Sequence, residues 1–399
     1  MLAPWVVDEV RDVDLNDERL DRRLALVLSQ LGGKPTMSIP AACGGYAETA
    51  GAYRLFNSEK VTFENVLQPH IEATLRRVAE QDVALLIQDT TEIDLTRPQQ
   101  QVAGAGPLDG NSRQGMFLHP LHAFTPDGTP LGTVAAQAWT RDDTPPPPKD
   151  ERHARRKQTP IEEKESFRWV EMIEQSGEVS QQLPDTQMIC IGDSEADIYE
   201  LLAEADDSSQ VDWIVRACQN RAVQQEAAPG ENDSEAANRL REQLLTRDVL
   251  FTHKIQVRAR DAKVSCEDRA RRTARGPREA QMEVRATELT LRPPPRPDRK
   301  LLPVTVNVVL VSEVDPPADE TPVEWLLLTS LPIGDAEQVR QVIQYYCVRW
   351  MIEILFRTLK SGCRVEKRRF EHIDRMLPCL AVYLIVAWRT LYVCRLGRE

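Results

Sequence analysis

Apolar residues in the first eighty positions recur at helical spacing. Within residues 17–31, four of the leucines return every three or four positions: Leu20, Leu24, Leu28 and Leu31. Charged residues lie between them, so the segment is predicted to be an amphipathic helix. After a Gly-Gly-Lys-Pro break, residues 48–56 and 63–79 repeat the same pattern. A small helical region is therefore predicted at the start of the chain.

From residue 83 the pattern changes to short apolar runs that end in acidic residues. Residues 83–87 lead into Asp89, and residues 188–191 lead into Asp193. Short apolar runs of this length are typical of buried strands. Between them, Asp127-Gly128 separates two further strand-like runs, which is a hairpin signal. The pattern predicts a mixed α/β sheet with both acids at one edge.

Residues 211–335 differ from the segments on either side, because strand-like runs alternate there with acidic and proline-rich stretches. The strand-like runs are 213–216, 250–257, 282–291, 304–311 and 325–329. Residues 224–235 are rich in acids, and residues 293–297 contain four prolines. A β-rich insertion is predicted. The chain then returns to helix, with one helix predicted at 336–362 and a second at about 373–396.

Composition indicates a globular protein of two or three domains. The 399 residues are 41% hydrophobic and 28% charged, both ordinary values. The eight cysteines are scattered and form no CxxC pair, which argues against a zinc site or a disulfide framework and favours the reducing cytoplasm. The apolar run 377–387 is followed by Arg389 and is too short to span a bilayer, so we expect a buried helix and no membrane.

The net charge of −12 does not by itself suggest a DNA-binding protein. DNA affinity draws on Lys and Arg side chains that neutralise phosphates. Binding uses local patches, however, and the chain has basic clusters at 152–157, 269–278 and 367–369. Each cluster taken alone is better explained as a solvated loop or face than as a DNA-binding patch. Composition therefore leaves a nucleic-acid partner open.

The predicted helix 336–362 carries five polar side chains within about 80° of one another at 100° per residue. These residues are Tyr346, Arg349, Glu353, Arg357 and Lys360. One interpretation is a solvated face with i,i+4 ion pairs. The other groups Glu353 with Asp89 and Asp193, since three carboxylates can hold two metal ions about 4 Å apart for phosphoryl transfer. The tyrosine and the cations would then hold DNA phosphates.

These residues resemble the motifs of the insertion-sequence-four family of DDE transposases, the group that contains the transposon-five enzyme. The most specific match is Tyr346-x2-Arg349-x3-Glu353-x6-Lys360. Asp89-Thr90-Thr91 matches the motif of the first aspartate, and Asp193-Ser194-Glu195-Ala196-Asp197 matches that of the second. Residues 51–54, 163–166 and 321–330 match further family stretches, and the resemblance covers residues 15–395.

The resemblance implies an α/β fold with a ribonuclease H-like catalytic core. The core would occupy residues 76–210 and 336–399, with the β-rich insertion at 211–335 between its two parts. A helical DNA-binding domain would precede it at 1–75. The 160 positions between Asp193 and Glu353 leave room for such an insertion.

The resemblance also implies the chemistry of cut-and-paste transposition. Two Mg²⁺ ions, with Mn²⁺ as an alternative, would be held by Asp89, Asp193 and Glu353. They would assist hydrolysis at the transposon ends, after which the freed 3′-hydroxyls would attack target DNA. The implied partners are double-stranded DNA, as terminal inverted repeats and as target, and a second copy of the chain in a paired-end complex.

Four more residues match family positions near DNA. Trp325 matches a tryptophan that stacks on a flipped base, although a tryptophan in a strand is equally a core residue. Arg54 and Arg216 match arginines that approach DNA. His119 matches a histidine near the active site, and it could equally be a core histidine with its hydrogen bonds satisfied.

Two other functions remain open. Longer family members continue into a helical region used for dimer contacts, whereas this sequence ends at Glu399. A non-catalytic or truncated transposase-derived protein that binds DNA and inhibits transposition is therefore one alternative. The intact Asp89, Asp193 and Glu353 favour an enzyme over it. The other alternative is an unrelated ribonuclease H-like nuclease, which would cleave DNA without strand transfer.

Overall fold

The computed structural model divides the chain into two compact units. Unit 1 comprises Met1–Pro148, Glu178–Met188 and Val348–Glu399, and unit 2 comprises Lys149–Gly177 and Ile189–Cys347. The structure describes residues 2–97, 99–110, 112–143, 148, 158–208, 211–224, 238–259, 275–297, 299–318 and 320–397. The basic cluster 152–157 and residues 269–274 of a second cluster lie outside the described residues.

Unit 1 begins with a helical region. Its helices are α1 (Pro4–Glu9), α2 (Glu18–Gly33), α3 (Ile39–Cys43), α4 (Tyr46–Phe56) and α5 (Phe63–Val78). The Asp17 carboxylate caps α2, and Thr62 and Asn65 form a capping box at the start of α5. Leu24, Leu28 and Leu31 are buried, as the spacing predicts. The short helices α1 and α3 were not predicted from the sequence.

The sheet of unit 1 is built around its longest strand. Its strands are β1 (Val83–Gln88), β2 (Thr91–Asp94), β3 (Gly106–Pro107), β4 (Gln114–Phe124) and β5 (Pro130–Trp139). The β4 strand pairs antiparallel with β1, β2, β3 and β5. The β4–β5 hairpin turns at Gly128, whose φ of 87° suits glycine, so the predicted hairpin is confirmed.

A sixth strand, β6 (Gln187–Gly192), begins in unit 1. The Gln187 amide donates to the carbonyl of Asp82, the residue before β1, at 2.9 Å. The two strands therefore begin at the same edge of the sheet. Each is an apolar run that is buried after its first residue, as predicted.

The last helix of unit 1 is its most apolar element. This helix, α11 (Ile373–Leu396), is long and apolar enough to cross a membrane, but two thirds of its apolar window is buried inside the protein. It packs against α5, β5 and α2, and Leu380 and Leu384 are completely buried. The prediction of a buried core helix is confirmed.

Unit 2 contains the remainder of β6 and five further strands. These are β7 (Asp212–Arg216), β8 (Phe251–Val257), β9 (Arg278–Leu291), β10 (Val304–Glu313) and β11 (Glu324–Thr329). They pair in the order β6-β7-β11-β10-β9-β8, with β6 and β7 parallel and the other pairs antiparallel. The helices are α6 (Arg168–Gln182), α7 (Tyr199–Ser208), α8 (Leu240–Leu245) and α9 (Ala336–Val348). All five strand-like runs of residues 211–335 are thus strands.

The order of these elements defines a mixed α/β fold of the ribonuclease H-like class. Strands β1, β4 and β5 form an antiparallel set, and α6 then leads to the parallel pair β6 and β7. A helical N-terminal region precedes them, and antiparallel strands extend from β7. The fold class predicted from the sequence is confirmed.

The prediction of one uniform helix at 336–362 is wrong. The helix α9 ends at Val348, α10 covers Trp350–Arg357, and a π-helical turn covers Thr358–Gly362. The Ile352 amide bonds three residues back to Arg349, and the Cys363 amide bonds five residues back to Thr358. A 3.6-residue period does not hold through such turns, so the faces of the segment change direction along it.

Candidate active site

Asp89 lies directly after the buried strand β1, and its carboxylate is held by two donors. The amide of Thr90 donates to Oδ1 at 2.7 Å, and Arg349 Nη1 donates to Oδ2 at 3.2 Å. The side chain is 15% exposed. The strand end thus presents an ion-paired carboxylate that is largely shielded from water.

Arg349 joins this carboxylate to that of Glu353. Its Nη2 donates to Glu353 Oε1 at 2.9 Å, while Nη1 holds Asp89. The i,i+4 spacing predicted the contact between Arg349 and Glu353. The contact between Arg349 and Asp89, a strand end 260 positions away, was not predicted. One guanidinium therefore spans two of the three acids that the sequence singled out.

A cavity of about 430 Å³ opens beside this bridge. It is lined by Asp89, Thr90, Thr91, Glu353, Phe356, Arg357, Lys360 and Ser361. Lys360 Nζ lies 3.5 Å from Thr91 Oγ1 and 3.6 Å from Glu366 Oε1. Arg357 is exposed, and no carboxylate of the described chain pairs with it. The cavity thus combines two acids with two cations at its rim.

His119 is completely buried in β4. Its Nε2 lies 3.2 Å from Gln88 Oε1 and its Nδ1 lies 2.8 Å from Thr90 Oγ1. An amide oxygen only accepts, so Nε2 donates to Gln88 and Nδ1 accepts from the Thr90 hydroxyl. The DNA contact predicted for His119 is not supported, because its ring does not reach solvent. The ring instead orients Thr90 beside Asp89.

Unit 2 presents Asp193 at the end of β6. Its Oδ1 accepts from the Glu195 amide at 2.7 Å, which caps a short 3₁₀ turn. The parallel register pairs Gly192 with Val215, so the next residues, Asp193 and Arg216, leave the two strands at the same edge. A cavity of about 420 Å³ at this edge is lined by Ser194, Arg216, Ala217, Cys218, Gln219, Asn220, Arg241, Glu324 and Leu326.

Trp325 and Tyr346 form an aromatic pair in unit 2. Their ring centroids lie 5.7 Å apart with the planes at 66°. Tyr346 is buried and Trp325 is half-buried. The phosphate contact predicted for Tyr346 is not supported by this burial, because the ring packs against Trp325 and supports it. Part of the Trp325 surface remains open to solvent.

Arg54 lies on the exposed side of α4 in unit 1. Its Nε donates to the carbonyl of Ala50 in the same helix at 3.3 Å. The structure therefore places this arginine on the surface of the helical region, and among the described residues of unit 1 it has no contact with Asp89 or Glu353.

Asp197 is a structural residue of this edge that the sequence analysis did not single out. Its carboxylate is buried and accepts from the amides of Cys218 and Gln219, each at 2.9 Å. Arg221 Nε donates to it at 2.9 Å as well. Asp197 thus fixes the loop 218–221 after β7, which lines the cavity beside Asp193. Its place in the Asp193 motif was the available signal.

The chemistry of the acids suits a hard divalent cation. Carboxylate oxygens, as offered by Asp89 and Glu353, are the ligands that Mg²⁺ and Mn²⁺ prefer. The described residues contain no group of three His, Cys, Asp or Glu side chains arranged to hold a metal ion. In unit 1 the positive charge between the two carboxylates is instead the Arg349 guanidinium. The donor set therefore fits such a cation, which would take the place of that guanidinium.

An acidic strand end beside a cationic helix suits chemistry on a phosphodiester. Residues 3–61 match the family model described as "Transposase DNA-binding", and residues 166–377 match the one described as "Transposase DDE domain". Because the second match covers more than half of the chain, this protein belongs to the DDE transposase family.

One similar solved structure is described as a cryo-EM structure of the piggyBac transposase synaptic complex with hairpin DNA. The two sequences are 11% identical, with a TM-score of 0.37. The similarity covers 98% of this chain and 64% of that chain. This protein thus spans less than two thirds of that relative's length.

Proposed function

We propose that this protein is a cut-and-paste DNA transposase of the insertion-sequence-four group, similar to the transposon-five enzyme. The observation that carries the proposal is the bridge from Asp89 through Arg349 to Glu353, in a cavity with Arg357 and Lys360 at its rim. The spacing of the Tyr346-to-Lys360 motif supports the particular group.

In the proposed reaction, a water oxygen attacks phosphorus at the transposon end and the P–O3′ bond breaks. The released 3′-hydroxyl then attacks a phosphodiester of the target, so one P–O bond is exchanged for another. Two Mg²⁺ ions, or Mn²⁺ in their place, would be held by Asp89, Asp193 and Glu353, and when bound they activate the attacking oxygen and stabilise the leaving one.

The other residues of the site bind and orient. Arg357 and Lys360 lie at the rim of the cavity, where they would pair with phosphates of the DNA end. Thr90, oriented by His119, donates its amide to Asp89 and fixes that carboxylate. In the metal-free protein, Arg349 holds the two carboxylates close together.

The proposed partners are the terminal inverted repeats, the target DNA and a second copy of this chain in a paired-end complex. Trp325 would stack on a flipped base, since its ring is partly open and is supported by Tyr346. Arg216 and Arg54 would contact the DNA backbone. Because its substrate is DNA, the protein acts inside the cell, and the cytoplasm is the compartment that we propose.

The proposal is tested with linear DNA that carries the inverted repeats flanking the gene. Purified protein and Mg²⁺ should cut at the repeat boundary and join the freed 3′ ends to a target plasmid. Glu353→Gln should abolish both reactions, whereas Glu371→Gln, an exposed acid of the same unit, should leave them unchanged. Equal activity of wild type and Glu353→Gln would overturn the proposal.

A second candidate is a non-catalytic transposase-derived protein that binds DNA and inhibits transposition. It is favoured by the net charge of −12 and by the ion pairs that Arg349 makes with both acids. Binding of the repeats without cleavage in the same assay would support it. Cleavage without strand transfer and without end specificity would instead indicate a ribonuclease H-like nuclease.

A further inference from the structure

A second cavity of unit 2 is lined by positive charge and has none of the three candidate metal-binding acids in its lining. The cavity has a volume of about 910 Å³ and is formed by residues 219–222, Arg239, residues 292–296 and residues 299–301. Six cations line it: Arg221, Arg239, Arg292, Arg296, Arg299 and Lys300. None of the described lining residues is acidic. This arrangement is unexpected in a chain with a net charge of −12.

Three of these cations are anchored by ion pairs with acids that are not part of the cavity lining. Arg221 pairs with the buried Asp197, Arg296 with Glu200, and Arg299 with Glu162. Each pair fixes the position of its guanidinium. The anchored arginines therefore give the wall a defined shape.

The other three cations have no acidic partner among the residues that the structure describes. Arg239 Nη1 donates to the carbonyl of Asn220 at 3.0 Å, which leaves its charge unpaired. Arg292 and Lys300 are exposed, and in the described ranges no carboxylate pairs with either of them. Three cations thus line one cavity without a counter-charge from the described residues, although they repel one another. A bound anion would relieve that repulsion.

The backbone around the cavity is held in place before any ligand binds. The Arg292 amide donates to the carbonyl of Ala222 at 2.9 Å, and Val223 forms a β-bridge with Leu291. The Tyr199 hydroxyl donates to the carbonyl of Leu302 at 2.7 Å. The prolines at 293–295 further restrict the segment that carries Arg292. A preorganised cationic wall lowers the cost of binding an anion.

We propose that this cavity binds consecutive phosphate groups of a DNA backbone, at a site separate from the carboxylates. Cations without a groove-reading element suit sequence-independent contacts with phosphates, which position a duplex and do not specify its bases. The inference rests on the proposed function, since it requires DNA as the substrate. The contacts would supply binding energy that the acidic composition of the chain otherwise lacks.

The test neutralises two of these three exposed cations, Arg292 and Lys300, in the full chain. Arg292→Gln together with Lys300→Gln should weaken binding to a duplex of random sequence on the order of tenfold at low salt. The slope of log K against log salt should become shallower by about 2, since each lost phosphate contact removes about 0.9. Fluorescence anisotropy over a salt series measures both quantities.

The matched control is Arg247→Gln together with Arg258→Gln. Both arginines are exposed in unit 2, lie outside the cavity lining, and have no acidic partner within the described part of the chain. The control makes the same change in charge, so it should leave the salt slope unchanged. An equal loss in both double variants would show a general charge effect and would overturn the assignment of the cavity.

Inorganic tripolyphosphate distinguishes a DNA site from a site for a small anion. If it raised the Tm of the wild type while the cavity variant bound DNA normally, the cavity would be a small-anion site and the proposal would be wrong. If the wild type bound DNA but lost no affinity on substitution, only this inference would fail. If the wild type bound no DNA at any salt concentration, the proposed function would fail and this inference with it.

Discussion

Arg349 is the residue on which the geometry of the candidate site depends. Its guanidinium is 14% exposed and holds Asp89 and Glu353 together. Removing it would leave the two carboxylates in one cavity without the guanidinium that pairs with both of them. Like charges in that position disfavour the folded state unless another cation enters.

We therefore predict that Arg349→Met lowers the stability of the metal-free protein by about 1–2 kcal/mol, a modest value because Glu353 is partly exposed. Mg²⁺ should restore more stability to this variant than it adds to the wild type. Thermal unfolding in EDTA and in Mg²⁺ measures both effects. Arg340→Met, which removes an exposed i,i+3 partner of Glu337, is the control. An equal Mg²⁺ effect in all three proteins would argue against a cation site at these acids.

A second prediction at this scale concerns Lys360, which lies at the cavity rim near Thr91. Lys360→Ala should weaken binding of the DNA end and flatten its salt dependence by about one phosphate contact. Lys367→Ala, another basic residue of unit 1, is the control, and the salt series is followed by anisotropy. An unchanged slope would mean that Lys360 only pairs with Glu366.

The sequence correctly predicted which residues lie together where their positions follow from local spacing. Glu353, Arg357 and Lys360 line one cavity because they lie on consecutive turns of one segment. The burial of His119 and Tyr346 could not be predicted in this way. His119 is enclosed because β4 pairs with β1 and β5, and Tyr346 because its ring meets Trp325. Such contacts depend on residues far away in the sequence.

At the scale of elements, Asp197 holds the loop that follows β7. Its carboxylate accepts from two loop amides and pairs with Arg221, whose side chain is 8% exposed. Asp197→Asn would leave that guanidinium largely buried without a counter-charge. We predict a loss of about 3–5 kcal/mol in the free energy of unfolding.

Chemical denaturation measures this loss, and Glu195→Gln is the matched control. Glu195 belongs to the same motif and also pairs with an arginine, Arg168, but its side chain is 63% exposed. Glu195→Gln should therefore lower the free energy of unfolding by less than about 1 kcal/mol. Similar losses in the two variants would contradict the role assigned to Asp197.

The elements themselves were predictable where the period was unbroken. Strands β7–β11 matched their apolar runs, and the buried faces of α2 and α11 matched their leucines. The break at Arg349 and the π-helical turn at Thr358–Gly362 were not predictable, since Ile352, Leu355 and Leu359 also fit an ordinary helix. Tertiary packing decides whether an amide bonds to the carbonyl three, four or five residues back. No residue type in the sequence indicates which of these bonds forms.

At the scale of the molecule, a buried polar network connects the N-terminal helices of unit 1 to its sheet. Glu9 on α1 pairs with Arg77 Nη1 at 2.6 Å and lies 2.5 Å from His70 Nδ1, both on α5. The amide of Thr133 on β5 donates to His70 Nε2 at 3.1 Å. Since Nε2 accepts, Nδ1 carries the proton and donates to Glu9. Both ring nitrogens of His70 therefore take part in hydrogen bonds that hold α5 to α1 and to β5.

Burial raises the pKa of Glu9, but His70 and Arg77 outweigh burial and hold that pKa below its usual value of 4.5. A carboxylate whose pKa is lower in the folded than in the unfolded chain stabilises the fold above the unfolded value. That contribution is lost as the pH falls from about 4.5 through the folded pKa. Unit 1 should therefore lose stability on acidification partly through this one residue.

We predict that Glu9→Gln lowers the free energy of unfolding at neutral pH by about 3–5 kcal/mol, because Arg77 loses its counter-charge in a mostly buried position. The variant should also lose less additional stability than the wild type below pH 4.5, since it has no carboxyl left to protonate there. Asp8→Asn removes a neighbouring exposed acid and should change neither quantity measurably. Urea denaturation across a pH series measures all three proteins. If the free energy of unfolding fell with pH in the same way for Glu9→Gln and the wild type, Glu9 would not be responsible for the loss of stability in acid.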